Sequence, residues 1–203
     1  MGFNSYASFR SVVGSWADTD VTVTSLDQAI KMGENYVHRK LRIEAMETAL
    51  AVTINALGTA TLPADYMEAQ YLYLNRSPRR ALTKKPAEWI IRNYPTATAT
   101  GIPSFVAETN STFIFGPPAS TQDTVVGTYY AKPASLPGTG TINSVFSEAP
   151  EIYLWAALAN AEVFLGRDQR MIWQQKCDEA INSTNNEAKR RRFSGGPISA
   201  SPG

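Results

Sequence analysis

A single cysteine and a single histidine are all that this 203-residue chain offers toward soft-ligand metal chemistry. One Cys, Cys177, excludes an internal disulfide framework, and one Cys with one His, His38, cannot build a zinc or haem site from soft ligands alone. Charge is scarce as well. Asp, Glu, Lys and Arg make up 18% of the residues, against roughly 25% in average globular chains. The 19 basic and 18 acidic side chains leave a formal net charge of +1, so the whole-chain field favours neither nucleic acid nor a membrane, and only a local patch could. No apolar run approaches the roughly 18 to 20 residues of a spanning helix. The opening MGFNSYASFRSVV lacks the basic and apolar regions of a secretory signal, and Tyr6 stands where a myristoylation signal needs Ser or Thr. A soluble, non-exported chain is expected. What is present is apolar material for a core, at 43% of residues, in a chain long enough for one domain or a domain with an appended module.

Hydrophobic spacing divides the chain into helical ends and a β-rich middle, an α+β fold class. Tyr6, Phe9, Val13 and Trp16 recur at three and four and predict a short helix over 5–17. Ser25 followed by Gln28, then Leu26, Ile30, Val37, Leu41 and Ala45 on one face, predict a longer helix over 25–48. Residues 51–62 are β-branched with Gly58 as a turn, which reads as a strand or hairpin, and Met67–Leu74 ends in a strand-like Tyr-Leu-Tyr-Leu. Pro86 to Tyr94 predicts a short helix. Between 95 and 147 only Glu108, Asp123 and Lys132 are charged. Phe105–Phe115 reads there as a hairpin turning at Thr109-Asn110, and 123–131 as a further strand. A loop follows over 133–140, and its Gly138–Asn143 run lacks the last glycine and the framing of a dinucleotide fingerprint. A helix opens at Ser147 and Pro150, with Gly166 placed as its cap, and a second follows from Asp168 with Trp173, Cys177, Ala180, Ile181, Thr184 and Ala188 on one face. The organisation is thus 1–50 N-terminal helices, 51–147 β-rich with one short helix, 148–192 a helical hairpin, and 193–203 an arm that cannot form a core.

Candidates for chemistry are few. Cys177 falls on the apolar face of its helix, where a buried, inert thiol is expected. His38 lies among Arg39, Lys40 and Arg42, and reads as part of a solvated polar face. Glu148 with Glu151, and Asp178 with Glu179, hold ordinary helix-surface positions, so no acid–base pair is expected. The four tryptophans, Trp16, Trp89, Trp155 and Trp173, read as core or subunit interface, and of Tyr129 and Tyr130 one should be buried and one exposed. Lys189, Arg190, Arg191 and Arg192 form the dense basic cluster. Two readings stand open for it: contact with nucleic acid or another anionic surface, and cations complementing the dipole of a helix C-terminus. With Phe193 and the tail, these residues are expected to contact a partner or a neighbouring copy. No catalytic residue, cofactor or metal is expected, and the profile suits a structural assembly subunit rather than an enzyme.

The order of the pieces over residues 5–193 resembles the head-to-tail adaptor (connector) proteins of bacteriophages, especially short-tailed ones. The likeness is carried by Trp16-Ala17-Asp18 closing the first helix, Arg42-Ile43-Glu44-Ala45-Met46-Glu47, Leu62-Pro63-Ala64-Asp65-Tyr66, Tyr129-Tyr130-Ala131-Lys132-Pro133, and Pro150 through Leu158 opening the helical hairpin. That resemblance implies a helical bundle of N- and C-terminal helices with an inserted β portion. It further implies a homo-oligomeric ring, usually a dodecamer, at the head–tail interface of the virion. The ring docks under the portal protein, extends the channel for double-stranded DNA without sequence recognition, and gives the tail protein its attachment site, with no membrane involved. Another neck or tail-completion protein, and a nucleic-acid-binding module using Arg79, Arg80 and 189–192, are the alternatives.

Overall fold

The computed structural model describes residues 5–17, 23–95, 100–119, 122–136, 142–165 and 169–193. Along the chain run α1 (Tyr6–Ala17), α2 (Val23–Lys40), a 3-10 turn (Glu44–Met46), and strands β1 (Glu47–Thr53), β2 (Thr59–Thr61), β3 (Tyr66–Leu74), β4 (Arg80–Ala81) and β5 (Thr83–Lys84). Helix α3 (Ala87–Asn93), strands β6 (Phe105–Glu108), β7 (Thr112–Gly116) and β8 (Thr124–Ala131), and helices α4 (Ser144–Glu148), α5 (Pro150–Leu165) and α6 (Arg170–Phe193) complete it. The fold class is α+β. Two units emerge: one draws on Met1–Met46 and Pro133–Gly203, the other is Glu47–Lys132, inserted between them in sequence.

In the helical unit α5 is the centre. Ile152, Tyr153, Leu154, Ala156, Ala157, Leu158, Ala159, Ala161 and Glu162 are all buried, which covers nearly the whole circumference of the helix. Its alanines let neighbours come close. At Gly33 the backbones of α2 and α5 meet, and a Cβ there would lie 2.7 Å from the carbonyl carbon of Ala156. Helix α6 packs on another side of α5 with the face that its spacing predicts: Cys177 and Ile181 are buried, and Trp173, Ala180, Thr184 and Ala188 half-buried. Helix α1 buries Phe9, Val13 and Ala17. The Phe9 ring meets that of Phe146 edge-on at 5.0 Å, and Tyr6 and Arg10 both hold Asp27 of α2 at 2.7 Å.

Two helical expectations change. The helix predicted over 25–48 stops at Lys40, and strand β1 has begun by Glu47. Side-chain amides from elsewhere take over the ladder: Asn185 donates to the Lys40 carbonyl at 3.0 Å and accepts from the Arg42 N–H at 2.8 Å. The helix expected from Ser147 is two helices, since Asn143 caps α4 by accepting from the Phe146 N–H before α5 opens at Pro150. Trp16, expected in the core or a subunit interface, is 51% exposed. Gly166, Asp168, most of the Gly138–Asn143 run and the tail beyond Phe193 lie outside the described residues.

The second unit holds two four-stranded sheets, ordered β1-β8-β3-β4 and β2-β7-β6-β5. Every pairing is antiparallel except β5 with β6. Leu50, Leu72, Leu74 and Val125 of the first sheet share one core with Val106, Phe113 and Phe115 of the second. The β6–β7 hairpin turns at residues 109–111, with the Thr109 N–H on the Thr112 carbonyl, and β8 and α3 lie where the sequence puts them. Residues 51–62, however, form no hairpin: β1 pairs with β8 and β2 with β7. Gly58, at φ 72°, turns the chain from one sheet to the other, while Asn55 accepts the Leu57 and Thr59 N–H groups. Tyr129 and Tyr130 are both buried, where one was expected outside.

The close approach at Gly33 is testable. Gly33→Ala is expected to destabilise the protein by about 2 kcal/mol through overpacking, although Ala in place of Gly gains a helix about 1 kcal/mol. Chemical denaturation measures the sign; unchanged or increased stability contradicts the contact.

Candidate interaction surfaces

Residues with catalytic potential are held in structural roles. Cys177 is fully buried, its sulfur 3.7 Å from the Ile152 carbonyl, and burial first, then Asp178, pushes its thiol up to about 12. It is the inert thiol that its helical position predicts. His38 is not solvated. It is 3% exposed, with Nε2 3.0 Å from the Tyr153 hydroxyl, because it falls on the same inner face of α2 as Ile30, Glu34 and Leu41 rather than with its basic neighbours. Glu34, also 3% exposed, accepts from the Ser135 hydroxyl at 2.8 Å and the Leu136 N–H at 2.9 Å, which pins the start of the returning chain to α2. Burial, and after it Glu34, raises the Tyr153 phenol well above the usual range, so it stays a neutral hydroxyl.

The carboxylate pairs behave as surface groups with one exception. Glu148, Glu151 and Glu179 are exposed. Asp178 instead joins α6 to α2: Tyr36 donates to it at 2.5 Å, Lys40 lies 2.8 Å away, and Lys40 also reaches the Tyr36 hydroxyl. Burial pushes this carboxyl up, but the hydrogen bonds from Lys40, Tyr36 and Gln174 outweigh it and hold the group below the usual carboxylate range. In the β unit a cleft of about 370 Å³ lies among Leu62, Pro63, Tyr66, Met67, Glu108 and Asn110. Its carboxylate is already satisfied, Glu108 accepting from Tyr66 at 2.6 Å and pairing with Lys84 at 2.9 Å. Among the described residues no three His, Cys, Asp or Glu side chains gather to hold a metal ion, and no helix is long and apolar enough to cross a membrane.

The basic cluster does form a surface. Lys189, Arg190, Arg191 and Arg192 are all exposed in the last turn of α6, where cations oppose the helix dipole. Arg191 stands 3.5 Å from Glu148 of α4. Phe193 closes the helix, and its side chain lies outside the described residues. Arg79 and Arg80 are exposed in the β unit, the Arg79 guanidinium 5.0 Å from the centre of the Tyr73 ring.

Other features go beyond the sequence reading. Trp155 and Trp173 stack at 5.5 Å with Trp16 against both, and Lys176 lies over the first two rings. Val163, Phe164, Met171 and Ile172, on either side of the α5–α6 connection, are exposed. Val163 keeps the 3-4 spacing of Ile152, Ala156 and Ala159, which reads as a buried position, yet it is 48% exposed.

Because Asp178 is held below its ordinary value, its contribution to stability is full above the unfolded carboxylate range and is lost as pH falls through the folded value. The stability difference between the wild-type chain and Asp178→Asn is therefore expected to be largest near neutrality and to shrink below about pH 4. Denaturation midpoints across pH 3–7 check this; a difference constant with pH contradicts it.

The whole chain can be set beside known proteins. A comparison with curated proteins finds no match. A family model described as SU10 adaptor protein matches residues 4–200, which takes in the helices of both chain ends, the inserted β unit and the basic end of α6. The chain belongs to the SU10 adaptor protein family, a bacteriophage adaptor family.

Proposed function

We propose that the chain is a structural head-to-tail adaptor of the virion, assembling into a homo-oligomeric ring, dodecameric by resemblance, beneath the portal protein. The family match across nearly its full length carries this reading. In it the ring extends the channel for double-stranded DNA, which passes without sequence recognition, and offers the tail its attachment site. Assembly takes place in the host cytoplasm, and the chain performs no catalysis. Support for association comes from Trp16, Val163, Phe164, Met171 and Ile172, exposed apolar residues of the kind that interfaces cover. A closed ring joins two different patches of one chain through a heterologous interface.

Lys189, Arg190, Arg191, Arg192 and Phe193, with the tail, are proposed as the portal or neighbour contact. Lys189, Arg190, Arg191 and Arg192 are exposed, and in this reading the guanidinium groups pair partner carboxylates bidentately, Arg191 exchanging or sharing its contact with Glu148. The test mixes purified chain with portal rings and counts bound copies by native mass spectrometry. Wild-type protein is expected to bind in a fixed stoichiometry. Deletion of 193–203 combined with Arg190→Glu, Arg191→Glu and Arg192→Glu is expected to abolish docking. Docking that survives at physiological salt, with only DNA retention changed, assigns the cluster to the channel instead.

A further inference from the structure

The outer face of the first sheet is unlike the polar face that an antiparallel sheet normally turns to water. Opposite the core side, Ala49 and Tyr71 flank Thr128, and Ala51 and Tyr73 flank Val126 in the next row. These two rows across β1, β8 and β3 carry no charged residue, and the row beyond them places Glu47 and Glu68 on either side of Tyr130. The residues are nevertheless accessible: Ala49 and Ala51 are exposed, Tyr71 is 56% exposed, and Tyr73, Val126 and Thr128 are partly so. The tyrosines are ordered rather than loose. Their rings stack at 6.3 Å and 12°, and the Tyr71 hydroxyl accepts from Thr128 at 2.8 Å.

Cations close one border of this face. Beside Tyr73, Arg79 leads into the edge strand β4, which begins with Arg80, and both arginines are exposed. No ion pair joins either of them to a carboxylate among the described residues, while Asp123 is held by Arg76 at 2.7 Å, Glu108 by Lys84 and Glu88 by Arg92. Tyrosines and arginines are among the residue types that dominate the energy of protein interfaces, and the small apolar residues between them leave the surface open to close approach.

We propose that this face docks a partner protein whose surface is apolar at its centre and carries carboxylates at the border that meets Arg79 and Arg80. The inference rests on the adaptor reading, in which the chain must grip a protein beyond its own ring. Duplex DNA fits the face poorly. Ala49, Ala51 and Val126 offer no donors to phosphate oxygens, and apolar surface gains nothing against a hydrated polyanion.

The test uses full-length chain reconstituted on portal-bearing heads, with purified tails of the same phage as the probe. Ala51→Lys, and separately Arg79→Glu with Arg80→Glu, are expected to lower tail joining by about tenfold or more, while the chain stays on the heads and its oligomeric state is unchanged. Arg79→Lys is expected to restore part of the effect lost in Arg79→Glu, and Ser11→Lys on α1 to have no effect. Thermal melting of each variant separates loss of docking from loss of fold; if Ala51→Lys melts early, the exposed arginine pair decides. Unchanged tail joining overturns the proposal, as does loss of self-association, which would make a second copy the occupant, or an effect on duplex DNA binding alone. Failure of wild-type chain to join heads to tails would instead count against the adaptor reading.

Discussion

Helix α5 is buried on almost every side, and this constraint organises the helical unit. A helix so enclosed needs partners around it, and its alanines allow those partners to come to backbone distance, closest at Gly33 of α2. From α2 and α5 in contact follow the other placements. Glu34 and His38 are carried inside with the rest of their face, where Ser135 and Leu136 donate to Glu34 and the Tyr153 hydroxyl meets His38 Nε2. Helix α6 lies along α5 and returns its polar groups to α2 through Asp178 and Asn185.

How far the fold can be read along the chain depends on where each element finds its partners. The buried faces of α1 and α6, the β6–β7 hairpin and β8 follow from spacing, because burial there repeats every 3.6 or every two residues within the element, whereas α5 is buried nearly all round. The end of α2 does not. Its last carbonyl is capped by Asn185, distant in sequence, and no local pattern announces that amide. Residues 51–62 carry a correct turn at Gly58 and strand-forming residues on both sides. Their ladders are nonetheless set by β8 and β7, so the local hairpin motif gives way to pairing at long range. His38 is a different case. Its spacing from Ile30, Glu34 and Leu41 marks it as inward-facing, and the adjacent basic residues obscured that signal.

The candidate surfaces were only partly legible. Lys189 to Arg192 are conspicuous as a run, and the structure leaves them exposed at a helix end. The uncharged patch on the outer sheet face is invisible in sequence, since it is assembled from Ala49, Ala51, Tyr71, Tyr73, Val126 and Thr128 of three strands that come together through register. On such faces apolar patches, aromatic pairs and exposed cations decide what adheres to what.

The account's central claim is that this chain joins the head of a phage to its tail. Electron cryomicroscopy of whole virions, resolved at the tail vertex and fitted with the two units separately, tests it most directly. Density for a closed ring of this chain, coaxial with the portal and in contact with it, is the predicted result. Its absence from that vertex, or its presence as scattered single copies elsewhere in the particle, contradicts the claim.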